Sequence, residues 1–214
     1  MSDWLHGIRV PALRISDLRD IATVIRSRSN LGREDPFPAL HFLEWSMFDI
    51  VDNFDFEVVS ALPDGNEACA FPDGASHHPH GPVIQMLQSA YDQAVQHNGR
   101  ARLTALHECG HVLLHRHVAV HHRGPRGSDL KPWENSEWQA NQFAAELLMP
   151  VESLDRPGDF ESYVRYMGVS REASCNRVLQ LERTLRMPLP KGWPVYVYAS
   201  AHRNSQKGGP VMSP

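Results

Sequence analysis

Residues 104–115 of the chain read Thr104-Ala105-Leu106-His107-Glu108-Cys109-Gly110-His111-Val112-Leu113-Leu114-His115. Residues four apart on an α-helix share one face, so His107 and His111 can direct ring nitrogens at one metal ion. Glu108 lies beside them and is placed to take a proton from a metal-bound water, the usual role of the glutamate in a His-Glu-x-x-His pattern. The stretch therefore predicts a helix that carries two zinc ligands and a general base.

The composition is that of an ordinary globular protein. A length of 214 residues suits one compact domain or a domain with a small appendage, and 42% of the residues are hydrophobic. A net charge of −4 provides no general attraction for nucleic acid. No apolar run reaches the length of about 18 residues that a membrane helix needs, and the N-terminus lacks the features of a signal peptide. We therefore expect a cytoplasmic protein with no membrane partner.

Two further counts bear on the motif. The chain contains 13 histidines, so the motif could arise by chance and needs support from its surroundings.

The three cysteines, Cys69, Cys109 and Cys175, have no paired spacing. Reduced thiols are therefore expected, and not a disulfide framework.

Hydrophobic periodicity predicts the secondary structure. Apolar residues recurring every three or four positions predict helices over residues 15–26, 39–51, 89–96, 100–117, 136–149, 160–165 and 170–185. Pro132 can begin the helix that continues over 136–149. Alternating patterns predict strands over residues 54–61, 68–71 and 83–86, with a last strand over 193–199 and a disordered tail over 205–214. Turn residues at 63–66 predict that the first two strands form a hairpin. Ser16 is expected to cap the first helix, and Ser136 with Gln139 to form a capping box.

The helix predicted over residues 136–149 supplies a possible third ligand. Glu137, Ala140, Asn141 and Ala144 share one face of this helix. Small alanines there allow close packing against the first motif helix, which brings Glu137 within reach of the metal. Asn141 lies one turn further on, where it can hold a ligand imidazole by a hydrogen bond.

Two sequence blocks together resemble the ImmA/IrrE family of zinc metallopeptidases, in particular its short, repressor-cleaving members. The first block begins Arg100-Ala101-Arg102-Leu103 and continues through the stretch quoted above; the second reads Glu137-Trp138-Gln139-Ala140-Asn141-Gln142-Phe143-Ala144-Ala145-Glu146-Leu147-Leu148-Met149-Pro150. The resemblance is firm over residues 100–150 and looser over 18–96 and 160–181. Leu103 stands where the family often has an aromatic residue and Cys109 where it often has an aliphatic one, and neither departure affects the ligand set.

The resemblance implies a site and a fold. His107, His111 and Glu137 would bind Zn²⁺, and Glu108 would be the catalytic base. The implied fold is α+β and zincin-like, with a small antiparallel or mixed sheet packed on the zinc-site helices. We expect the metallopeptidase domain over residues 1–150, a helical C-terminal extension packed on it over 151–200, and a disordered tail over 201–214.

The resemblance also implies a function. Such peptidases cleave a helix-turn-helix transcriptional repressor and so relieve repression during stress, mobile-element induction or phage defence. The repressor is expected to be encoded nearby. Some short members associated with defence respond to single-stranded DNA, which makes single-stranded DNA a possible activator here.

Three other side chains have possible roles near the metal. His115 and Tyr91 are candidates for stabilising the oxyanion, with packing or surface roles as the alternatives. Cys69 lies in a predicted edge strand, and strands at this position in such peptidases border the substrate cleft. Its thiolate could occupy the fourth zinc position and inhibit the enzyme; the alternative is a plain buried or surface cysteine.

Two rival classes of protein remain. A structural zinc protein would not need Glu108. A DNA-binding regulator with a structural zinc site would need a basic recognition face, for which the available residues are Arg165, Arg171, Arg177, Arg183 and Arg186. Six further histidines, at positions 77, 78, 80, 117, 121 and 122, are expected to be solvated loop or helix-end residues.

Overall fold

The fold, seen in a computed structural model, combines helices with one small sheet. The structure describes residues 7–32, 34–62, 65–75, 78–116, 118, 130–155, 158–187, 190 and 193. The α-helices are α1 (Ile15–Arg28), α2 (Ala39–His41), α3 (Met47–Ile50), α4 (Gln88–Val95), α5 (Gly99–His115), α6 (Ser136–Leu148), α7 (Phe160–Met167) and α8 (Arg171–Leu185). A π-helical segment, Phe42–Ser46, joins α2 to α3, and short 3₁₀ helices cover Pro132–Glu134 and Val151–Asp155. The strands are β1 (Asp55–Val59), β2 (Ala68–Phe71) and β3 (Val83–Leu87).

The sheet is mixed, and the predicted hairpin of β1 and β2 is wrong. The strand order is β1-β3-β2, with β3 parallel to β1 and antiparallel to β2. The chain runs in opposite directions in β1 and β2, but β3 takes the position between the two strands. Its valine, isoleucine and methionine are fully buried (Val83, Ile84 and Met86), which suits the central strand of the sheet.

Two predicted helix caps are also wrong. At α1 the N-cap is Arg14 and not Ser16, because the Asp17 carboxylate accepts the Arg14 backbone N–H at 2.8 Å. At α6 the N-cap is Asn135, whose side-chain oxygen accepts the backbone N–H groups of Glu137 and Trp138. Ser136 lies inside the helix, so it forms no capping box with Gln139.

One hydrophobic cluster joins the helices and the sheet. Helix α5, which carries His107 and His111, contacts α4, α6, β2 and β3 and is thus a central element of the fold. The same cluster includes residues from α1, α6, α7 and α8. The division into domains at residue 150 stays a prediction, although the helices after it share this core.

A buried ion pair links α8 to α6. Arg177 donates to both oxygens of Glu146 and to the Met149 carbonyl, and the side chains of Arg177 and Glu146 are each 1% exposed. Arg171 pairs with Glu161 at 2.5 Å. Two of the five arginines needed for a basic recognition face are therefore engaged within the protein, which weakens the DNA-binding alternative.

Some predictions lie outside the described residues. These are the last strand apart from Trp193, the tail, and the histidines at positions 77, 117, 121 and 122. Among the helices that the structure describes, none is both long and apolar enough to cross a membrane.

Candidate metal centre

Three side chains from α5 and α6 converge on one point. The Nε2 atoms of His107 and His111 are 3.0 Å apart. One oxygen of Glu137 lies 3.2 Å from His107 Nε2, and the other lies 3.3 Å from His111 Nε2. Among the described residues, these three form the group of His, Cys, Asp and Glu side chains whose ligand atoms are close enough to share an ion.

The donor set fits a tetrahedral metal. Zinc–nitrogen bonds of about 2.0–2.1 Å at tetrahedral angles correspond to ligand separations of about 3.3 Å, close to the three observed distances. His107 donates its Nδ1–H to the Asn141 side-chain oxygen at 3.1 Å, which leaves a lone pair on its Nε2 atom. An Nε2 lone pair facing a carboxylate and a second imidazole is unfavourable unless a cation or a proton lies between them.

Close packing of α5 against α6 positions these ligands. A Cβ atom added at Gly110 would lie 3.1 Å from the Ala140 Cα and 3.1 Å from the Phe143 ring. Ala140 and Ala144 are completely buried. Glycine on one helix and alanines on the other therefore allow the close approach by which Glu137 reaches the two histidines.

The N-terminal segment holds the start of α6. The Ile8 backbone N–H donates to the Ser136 hydroxyl, and the Ser136 N–H donates to the Ile8 carbonyl, each at 3.1 Å. Val10 and Leu13 form further backbone hydrogen bonds with Glu134 and Trp133. The turn of helix that carries Glu137 is thus fixed to residues at the beginning of the chain.

Two of the three converging groups, Glu137 and His107, have shifted pKa values. Burial acts to raise the pKa of Glu137, but hydrogen bonds to the two histidines outweigh it and hold this pKa well below its usual value. Burial acts to lower the pKa of His107, and contacts with Glu137 and Glu108 raise it overall. The carboxylate is therefore ionised and available as a metal ligand at neutral pH.

Glu108 is buried beside the cluster, with 8% of its surface exposed. It forms no hydrogen bond or ion pair with another residue in the described part of the chain. Two connected cavities, of about 720 Å³ and 440 Å³, share His107, Glu108 and Glu137 in their walls. The carboxylate thus faces an open cleft that runs past the three possible ligands.

Strand β2 forms one wall of this cleft and is the edge of the sheet. The Leu87 N–H donates to the Glu67 carbonyl, so in the antiparallel ladder the backbone groups of Cys69 point toward β3. Those of Ala68 and Ala70 point the other way, to the free edge. Both alanines line the smaller cavity.

Cys69 borders the cleft without joining the ligand group. It lines the smaller cavity, but its sulfur does not belong to the cluster of atoms within 4.8 Å of one another. Burial, together with the charges of Glu108 and Glu137, raises the pKa of this thiol. Inhibition by a Cys69 thiolate stays a prediction. Cys109 is fully buried in the core, as its position on the helix predicts.

Tyr91 and His115, the two candidates for stabilising the oxyanion, both form hydrogen bonds with other side chains of the protein. The Tyr91 hydroxyl donates to Glu44 at 2.6 Å, and Tyr91 lines neither cavity of the cleft. His115 is buried; its Nδ1 atom lies 3.1 Å from His111 Nδ1, and its Nε2 atom lies 3.1 Å from the Gln139 side-chain oxygen. Burial, reinforced by His111, lowers the pKa of His115 to about 4, so this imidazole is neutral at pH 7.

Sequence reasoning missed Gln139 as a neighbour of the site. The sequence predicts that its side chain forms a helix capping box with Ser136, whereas it is completely buried and contacts His115. Its position three residues after Ser136 suited a capping box equally well. Another feature of the sequence could have indicated its role: Gln139 lies two residues after Glu137, on the side of α6 that faces the core.

Comparison with protein families agrees with this geometry. Residues 91–179 match the family model Peptidase_M78, described as the IrrE N-terminal-like domain. The matched segment contains all three clustered side chains and Glu108. No curated protein matches the chain at a significant level. Residues 91–179 are thus similar to the ImmA/IrrE family, and this match supports a metallopeptidase of that family.

Proposed function

We propose that the chain is a zinc-dependent endopeptidase that cleaves a helix-turn-helix transcriptional repressor and so relieves repression. The observation that carries this proposal is the convergence of His107, His111 and Glu137 beside the buried carboxylate of Glu108. A structural zinc site would close its coordination with protein ligands, whereas three ligands at an open cleft leave room for water and substrate. The family match supports a protein substrate.

The residues of the chain have distinct roles in this proposal. His107, His111 and Glu137 would hold the metal, which when bound lowers the pKa of a water molecule and polarises a carbonyl group. Glu108 accepts a proton from the attacking water and returns it to the leaving amine. Its burial beside the ligands keeps it within reach of both positions and limits competition from solvent.

The position of β2 supports a zincin-like architecture, which we propose for this fold. The free edge offers the N–H and C=O groups of Ala68 and Ala70 to a substrate in extended conformation. Main-chain pairing of this kind binds a peptide without selecting its side chains. Specificity for one repressor would then come from contacts elsewhere along the cleft.

The test is incubation of the purified chain with the repressor encoded beside its gene, with and without single-stranded DNA. We expect one discrete cut, detected as two fragments by mass spectrometry. A chelator should abolish the cut and added Zn²⁺ should restore it. A repressor that stays intact with the zinc-loaded chain, both with and without DNA, would contradict the proposed substrate. A cut that occurs only with DNA would identify single-stranded DNA as an activator.

Inhibition by Cys69 can be examined in the same assay. If its thiolate holds the metal site inactive, Cys69→Ser should cleave the repressor faster than the wild type without any activator. Cys175→Ser is a suitable control, because Cys175 lies on α8 and lines neither cavity of the cleft. Equal rates for the wild type and Cys69→Ser would exclude the inhibitory role.

A further inference from the structure

The amide of Gln139 has a fixed orientation. Its nitrogen donates to the backbone carbonyls of Pro11 and Trp133, both at 2.8 Å, and the side chain is completely buried. The reverse orientation would place the amide oxygen against two carbonyl oxygens, with no proton between them. The oxygen of Gln139 therefore faces His115 and can only accept a hydrogen bond.

This orientation determines where the protons lie on two histidines. His115 must donate its Nε2–H to Gln139, and a neutral imidazole then has a lone pair on its Nδ1 atom. His111 Nδ1 lies 3.1 Å from His115 Nδ1, which carries that lone pair, so His111 is the donor in this contact. The Nε2 atom of His111 is then left with a lone pair, directed at His107 and Glu137.

We propose that Gln139 and His115 are positioning residues that fix His111 in the tautomer able to bind the metal. The inference rests on the proposed function, since it assigns a role toward the metal of that site. Ligand histidines commonly donate their second N–H to a carboxylate or a carbonyl. Here the acceptor is a neutral imidazole, which is itself oriented by Gln139 and, through it, by the backbone carbonyls of Pro11 and Trp133.

The geometry separates this role from the alternatives for His115. Both of its ring nitrogens have partners within the protein, and neither partner is a substrate group. A direct role in stabilising the oxyanion would need a free N–H facing the cleft. A packing role alone would not require the ordered donor and acceptor contacts from Gln139 through His115 to His111.

The tautomers can be measured by ¹⁵N NMR of histidine-labelled, full-length protein, with and without zinc. We expect His115 to have its proton on Nε2 and His111 to have its proton on Nδ1. In Gln139→Met, which keeps the length of the side chain and removes the acceptor, the signals of His115 should no longer show a single tautomer. A proton on Nδ1 of His115 in the wild type would overturn the proposal.

Zinc affinity provides a second measurement, made by competition with a chromophoric chelator. His115→Leu and Gln139→Met should weaken zinc binding by roughly 10–100-fold, the usual effect of losing such a partner. His115→Asn should retain most of the affinity, because its side-chain oxygen can take the place of Nδ1 as acceptor. If His115 had a purely structural role, His115→Asn and His115→Leu would bind zinc with equal affinity.

The control variant is Gln142→Met. Gln142 is a buried glutamine on the same helix, and its side chain bonds with Glu146 and Gln180, away from the cluster. It should bind zinc as the wild type does. Unchanged zinc affinity in a folded His115→Leu variant, verified by circular dichroism, would overturn the proposal. Failure of the wild type to bind zinc would instead contradict the proposed function, and the NMR measurement without metal would still test the tautomers.

Discussion

Glu108→Gln is expected to bind zinc as the wild type does and to lose nearly all cleavage of the repressor. Glutamine has the same shape but cannot accept the proton of the attacking water. General acid–base catalysis typically contributes about 10²- to 10⁴-fold, so kcat/KM should fall by at least roughly 100-fold. The measurements are the rate of fragment formation and the metal content of the purified variant.

The control for this variant is Glu161→Gln, which removes an exposed carboxylate that pairs with Arg171 on the surface. It should cleave at the wild-type rate. Wild-type cleavage by Glu108→Gln would show that Glu108 is not the base. Loss of zinc from that variant would mean that Glu108 contributes to holding the metal.

Gly110→Leu is expected to separate α5 from α6 and so to disrupt the ligand group. The nearest atoms of α6 lie only 3.1 Å from the position of a Cβ atom, so a larger side chain must push that helix away. Overpacking typically costs about 1–3 kcal/mol, which corresponds to a fall in Tm of a few degrees or more for a chain of this size. Thermal melting and zinc titration provide the two readouts.

Gly110→Ala makes this test more specific. Leucine and alanine both have higher helix propensity than glycine, so propensity alone would stabilise either variant. A loss of thermal stability and zinc binding in Gly110→Leu, with a much smaller change in Gly110→Ala, would therefore result from the limited space between the two helices. A Leu variant with full zinc binding and a wild-type Tm would show that the close approach is not needed.

The parts of the site within one helix could be predicted from the sequence. The spacing of His107 and His111 alone places them on one face, and the shared face of Glu137 with Ala140 and Ala144 predicts which side of the second helix approaches. These inferences need only the repeat of the α-helix. For the same reason, the boundaries of α5 and the end of α6 agree with the predictions to within two residues, whereas α6 begins at Ser136 and not at Pro132.

The relations between distant segments could not be predicted in this way. Turn residues after β1 indicate a reversal of the chain but do not determine which strand lies beside it, so the place of β3 between β1 and β2 was missed. The role of Gln139 depends on the N-terminal segment, whose contact with residues 132–136 leaves no periodic signal. A polar residue near a helix start suits several partners equally well until the fold brings one of them close.

The order of strands in the sheet also governs when the peptidase site can form during synthesis. β3 is the central strand although it is the last of the three in the sequence, so β1 and β2 have no partner in this sheet until residues 83–87 have been made. The chain then continues through α4 directly into the helix of His107 and His111. Glu137 follows only with α6. A nascent chain therefore cannot bring His107, His111 and Glu137 together before α6 has left the ribosome.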